Sequence, residues 1–111
     1  MNTDEKINRI RSLNDRLRRT HTGGQVVITS GIHGLGREKV NHILKEVAIF
    51  DGFNKDNDPY LEHDGAAQTV GEHKIIWKID YYDLSLSYLS EDPADPKKTR
   101  RVLTIMLAHE Y

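Results

Sequence analysis

The densest polar chemistry of the chain lies in Asn57-Asp58-Pro59-Tyr60-Leu61-Glu62-His63-Asp64 and Trp77-Lys78-Ile79-Asp80-Tyr81-Tyr82-Asp83. The two segments carry five carboxylates, one histidine and three tyrosines, and a hairpin could bring them together. Three readings of this density stay open. In one, Glu62, Asp64 and Asp80 ligate Mg²⁺ or Mn²⁺, because hard cations take several oxygen ligands. The metal would then activate water for hydrolysis of a nucleic acid or nucleotide, and His63, which titrates near neutral pH, would move a proton. In the second, Asp56, Asp58, Tyr60, Glu62, His63, Asp64, Asp80, Tyr82 and Asp83 form a surface that binds a protein partner. Its acids would imitate the phosphates that a nuclease holds through Arg and Lys, an attraction that speeds association and weakens with salt. In the third, Asp58 and Asp64 accept backbone N–H bonds and fix a loop, while His63 packs on Tyr60 or Tyr82.

Other motifs carry less. Gly31-x-x-Gly34-x-Gly36 lies where a phosphate-cradling loop would lie, between a strand and a helix. It lacks the Gly-Lys-Ser/Thr ending of a P-loop and does not match the dinucleotide fingerprint, so it reads as a flexible connection. Asp64 followed by Glu72-x-Lys74 matches a nuclease pattern only superficially, because Glu72 falls at a turn beside Gly71. Lys97, Lys98, Arg100 and Arg101 form a basic cluster with the reach to touch phosphates. No Gly-x-Ser-x-Gly, His-Glu-x-x-His or zinc-ligand spacing occurs.

A chain of 111 residues fits one domain, residues 1–111, with a modest core. It contains no cysteine, which excludes disulfides, thiolate-bound metals and Cys nucleophiles. A net charge of −1 argues against a dedicated nucleic-acid-binding domain. The charge is uneven: residues 1–20 hold six Lys and Arg against three Asp and Glu, and residues 51–64 hold five acids against Lys55 alone. No apolar run is long enough for a membrane span, and the polar start Met1-Asn2-Thr3-Asp4-Glu5 leads to the expectation of a cytoplasmic protein.

The elements that must position these residues follow from periodicity. Ile7, Ile10, Leu13 and Leu17 predict an amphipathic helix over 4–19, capped by Asn2 or Thr3 and stopped at Gly23-Gly24. Val26-Val27-Ile28 predicts a short buried strand. Val40, Ile43, Leu44, Val47 and Phe50 predict a helix over about 37–50. Residues 51–65 show no periodicity and read as a long loop. Residues 66–71 and 73–82 predict an antiparallel hairpin with Ile75, Trp77, Ile79 and Tyr81 toward the core. Leu84, Leu86 and Tyr88 alternate with serines and suggest a third strand. Asp95 and Pro96 suggest the start of a last helix, about 97–109, burying Val102, Leu103, Ile105, Met106 and Leu107. The expected fold is α+β, with three helices packed on a small, mostly antiparallel sheet of three to four strands.

Four blocks together carry a family resemblance: Asn57-Asp58-Pro59-Tyr60-x-Glu62-His63-Asp64, Trp77-Lys78-Ile79-Asp80-Tyr81-Tyr82-Asp83, Asp92-Pro93-Ala94-Asp95-Pro96 and Arg101-Val102-Leu103-Thr104-Ile105-Met106-Leu107-Ala108. Across about Ile7 to Tyr111 the chain resembles a small bacterial family of unknown function. Its members are encoded largely on plasmids and other mobile elements, often among antirestriction genes. That resemblance implies a small accessory protein that binds and inhibits a host defence nuclease of the restriction or CRISPR kind. The expected partner is therefore a host protein, with no cofactor. The rival expectation is the metal-dependent hydrolase built on Glu62, Asp64 and Asp80.

Overall fold

The computed structural model describes residues 1–111. Its first helix, α1 (Thr3–Thr20), starts where Asn2 Oδ1 accepts the Glu5 N–H at 2.8 Å. That bond satisfies one of the free donors of the first turn. The helix ends at His21, whose left-handed backbone lets its N–H reach the Leu17 carbonyl. Ile10, Leu13 and Leu17 are buried, as their spacing requires, and so are two polar residues of the same stripe, Asn14 and Arg18.

Strand β1 (Gln25–Ile28) follows, then a single helical turn, α2 (Ser30–His33), and helix α3 (Arg37–Ile49). The glycine segment 31–36 is therefore the rest of this helical turn and the tight turn that leads into α3 rather than a flexible link. A side chain at Gly31 would meet the Glu110 carboxylate at 2.6 Å, so only glycine lets that carboxylate come so close. Glu110 accepts bonds there from the Gly31 N–H and the Thr29 hydroxyl, which already occupies the donors a phosphate would need.

Strands β2 (Gly65–Val70) and β3 (His73–Tyr82) form the expected hairpin, and Glu72 lies exposed at its turn. The last element corrects the sequence-based expectation. Residues 97–109 are not a helix; Arg100–Leu107 is strand β4, followed by one 3₁₀ turn, Ala108–Glu110. A short apolar run such as Val102–Leu107 suits a buried strand as well as a helix, so periodicity alone cannot choose. The sheet chooses: its order is β1-β4-β3-β2, so β4 fills the slot between β1 and β3. It runs parallel to β1 and antiparallel to β3. Asp95 still caps a turn by accepting the Lys97 N–H, but the turn closes at Lys98 and goes no further. The strand expected at 84–88 is likewise absent. That segment is a loop with one isolated bridge, Tyr82 to Leu89.

The result is α+β, three helices on a mixed four-stranded sheet, with α2 taking the place expected for a C-terminal helix. All three helices cover one face, where Leu17, Ile32, Ile43 and Val47 meet Ile75, Trp77, Ile79, Leu103 and Ile105. Trp77 is 1% exposed, and its indole N–H donates to Gln68 across the hairpin. No helix is long and apolar enough to cross a membrane.

Candidate functional site

The topology gathers the chemistry at one end of the sheet. β1, β2 and β4 begin there and β3 ends there, so the segments 51–64 and 83–99 become neighbours of the same rim. Both are loops, and both are ordered by aspartate and asparagine side chains that accept backbone N–H bonds, which suits those residues to turns.

In the first loop, Asn54 accepts the N–H groups of Asp56 and Asn57, and Asn57 accepts that of Asn54. Asp58, 2% exposed, accepts the His63 N–H at 3.0 Å. Leu61 and His63 sit at φ 62° and 54°, a left-handed geometry that costs about 1–3 kcal/mol in a residue other than glycine. The contacts of His63 offset that strain. Its ring stacks on Phe53 with centroids 3.8 Å apart, Nδ1 lies 2.9 Å from Asp15 and Nε2 lies 3.6 Å from Asp58. A catalytic histidine needs one nitrogen turned toward substrate. His63 has a carboxylate at both, so its geometry is that of a clamp between α1 and the loop.

Behind that clamp lies Arg18, fully buried. One of its terminal nitrogens donates to the carbonyls of Val47, Ala48 and Phe50, the last turn of α3, and the other donates to Asp15. Cations are favoured at this negative end of a helix. The guanidinium also lies over the rings of Phe53 and Trp77. Burial lowers its pKa, opposed by Asp15; arginine stays protonated all the same.

A second buried network ties Glu62 down. The Tyr81 hydroxyl donates to its carboxylate at 2.7 Å, and Asn14 donates to its backbone carbonyl and to the Tyr81 oxygen. Burial, then the bond to Glu62, raises the Tyr81 pKa far above its ordinary value. Arg101, 2% exposed, donates to Asn14 and to the Pro93 carbonyl and lies over the Tyr81 ring. Arg101 is thus a structural cation, not a phosphate contact. Of the basic cluster, Lys97, Lys98 and Arg100 are exposed; Lys98 faces Glu91, and Arg100 donates to the Leu84 carbonyl.

The candidate metal ligands are engaged elsewhere. Glu62 is held by Tyr81, and Asp80 pairs with Lys78 at 2.8 Å on the helix-free face of the sheet. Asp64 is half-buried, and its pKa is raised first by burial and then by Glu62, with Asp58 and Asp80 adding to it. No three His, Asp or Glu side chains are placed to hold a metal ion.

Of the nine expected partner-binding residues, Asp56 and Tyr60 are exposed, Asp58 is buried, and Glu62, His63, Asp64, Asp80, Tyr82 and Asp83 are half-buried. Asp58 cannot meet a partner directly. His63 packs on Phe53 rather than on Tyr60 or Tyr82, because the left-handed turn carries its ring toward α1.

The second loop is built outward. Asp83 accepts the Ser85 hydroxyl and the N–H groups of Ser87 and Tyr88, while its own N–H donates to the Tyr88 carbonyl. The Ser85 bond is the main reason its pKa lies below the usual carboxylate range. This small ring of bonds leaves Leu84 55%, Leu86 45%, Tyr88 76% and Leu89 78% exposed. With Tyr60 and Leu61 of the first loop, six of the ten large apolar side chains exposed on the molecule stand on these two loops. Neither the buried Asn14 and Arg18 with the half-buried Asp15 and Phe53, nor the apolar rim, was foreseen as functional. The signal for the first was present: Asn14 and Arg18 interrupt the buried stripe of an amphipathic helix.

No curated protein and no solved structure matches the chain. One family model does, over residues 28–110, three-quarters of the sequence. It spans both loops, the hairpin and β4, and on that match the chain belongs to DUF3768, a family of proteins of unknown function.

Proposed function

We propose that this protein is a non-enzymatic binding module that docks a protein partner through the apolar rim of its two loops. One observation carries the reading: Leu84, Leu86, Tyr88 and Leu89 are held out of the core by a loop that hydrogen bonds make rigid. Exposed apolar clusters are characteristic of interaction sites. A preorganised loop also lowers the ordering cost of binding. Lys97, Lys98 and Arg100 flank the rim and suit a partner with acidic residues around an apolar centre.

The family resemblance of the sequence suggests which partner: a host defence nuclease of the restriction or CRISPR kind, met by a protein encoded on a mobile element. Phosphate mimicry by Asp56, Asp58, Glu62 and Asp64 has less behind it, since only Asp56 is fully exposed. The hydrolase reading has no converging ligand set to support it.

Capture from a host lysate on the immobilised protein tests the proposal. The wild type and Asp56→Asn should retain the same partner, and the double variant Leu84→Ser/Leu89→Ser should lose it at unchanged thermal stability. Retention by the double variant, or no partner at all, would overturn it.

A further inference from the structure

The sheet has two edges, β1 and β2, and they differ in how they are finished. An unpaired edge invites another strand, and natural sheets blunt it with short strands, charged side chains, proline or bulges. β1 is short, only four residues, and passes at once into α2, where Glu110 ties Thr29 and Gly31 to the end of the chain. β2 has none of these devices. Its six residues, Gly-Ala-Ala-Gln-Thr-Val, include no charge and no proline, and they pair with β3 without a bulge.

The phase of the β2–β3 ladder shows which backbone groups are free. Ile79 donates to the Asp64 carbonyl at 2.7 Å, just before β2 begins. Antiparallel strands bond through alternate residues, so Ala66, Gln68 and Val70 face β3, and Gly65, Ala67 and Thr69 turn their N–H and C=O groups outward. No other part of the chain donates to or accepts from the backbone of Ala67 or Thr69, and both residues are exposed.

We infer that this edge pairs with the same edge of a second copy, antiparallel about a two-fold axis through Ala67, to make one continuous eight-stranded sheet. The strand is self-complementary in that arrangement. Ala67 meets its own counterpart, Gly65 meets Thr69 of the other copy, and every outward N–H finds an outward C=O. The facing side chains are small and uncharged, so nothing on the strand opposes the approach. A two-fold interface of this kind uses one patch twice. A foreign strand would find the same backbone groups, but no feature of the edge selects its side chains, whereas the two-fold pairing satisfies all three outward residues of each copy. The interface is small, at the low end of specific interfaces, so the dimer is weak and forms as the protein is concentrated.

Sedimentation equilibrium over a wide concentration series provides the test. The wild type should pass from monomer to dimer. Ala67→Lys places like charges across the axis at an exposed position and should stay monomeric with an unchanged circular dichroism spectrum. Because the chain has no cysteine, Ala67→Cys adds the only thiol. Under mild oxidant it should form a disulfide-linked dimer, since facing strand residues lie within disulfide reach. A wild type that is monomeric throughout, including one that captures only a foreign strand, would overturn the inference. So would an Ala67→Lys protein that still dimerises.

Discussion

The loops at 54–64 and 83–90 use the same device to opposite ends. In each, one aspartate accepts backbone N–H bonds across the turn: Asp58 that of His63, Asp83 those of Ser87 and Tyr88. In each, a leucine sits in left-handed geometry, Leu61 and Leu86. The first loop then sends its polar side chains inward, His63 to Asp15 and Glu62 to Tyr81, where α1 supplies partners. The side chains of the second make no hydrogen bond to a helix, and its leucines and Tyr88 turn to solvent. A dense run of acids is therefore no measure of a charged surface: buried partners can consume the acids, while a serine-leucine run with little charge exposes more large apolar side chains.

Substitution can test that contrast. The largest effect should come from Arg18→Ala, which leaves the last carbonyls of α3 unpaired in the interior and takes from Asp15 one of its two partners. Removing one partner of a buried charged network costs about 3–5 kcal/mol, and urea denaturation should show a loss of that size. A loss below about 1 kcal/mol, the value of an exposed ion pair, would mean that the first loop is not anchored as described. His63→Ala should cost less, about 1–2 kcal/mol for a lost hydrogen bond and its packing. Limited proteolysis should then cut between residues 54 and 62, where the wild type should resist. In the second loop, Leu84→Ser/Leu89→Ser should change stability by no more than about 0.5 kcal/mol, as surface substitutions do. A larger loss would make those leucines part of the core and remove the difference between the loops.

The smallest effect is in pH dependence, and its sign differs between the loops. The Asp64 pKa is raised on folding, so the charged form disfavours the native state. Its stabilising contribution is present below the unfolded carboxylate pKa and is lost as pH rises through the higher folded value. Asp64→Asn should therefore raise the melting temperature at pH 7 by no more than about 2 °C and leave it unchanged near pH 3. The Asp83 pKa is lowered, so its contribution is present above the unfolded value and is lost as pH falls through the folded one. Asp83→Ala should lower the melting temperature at pH 7, and the gap should close in acid. Calorimetry of the two variants at both pH values measures each sign.

The sequence by itself determined the parts whose pattern is local. Asn2 as a cap, the Ile10–Leu13–Leu17 stripe, and the alternation that buries Ile75, Trp77 and Ile79 depend only on the residue-to-residue geometry of a helix or strand. The tertiary structure decided what depends on residues far apart in the chain. Residues 100–107 are a strand because β1 and β3 flank an open slot, information that no window around Leu103 contains. Asp58, Glu62 and His63 are clamps because Asn14 and Asp15 of α1 lie against them. Arg101 is buried rather than basic surface because Asn14, Pro93 and Tyr81 surround it. A carboxylate or guanidinium has the same chemistry wherever it stands; whether it meets water or a buried partner is set by the packing of distant elements, and that decides whether it binds, catalyses or holds the fold.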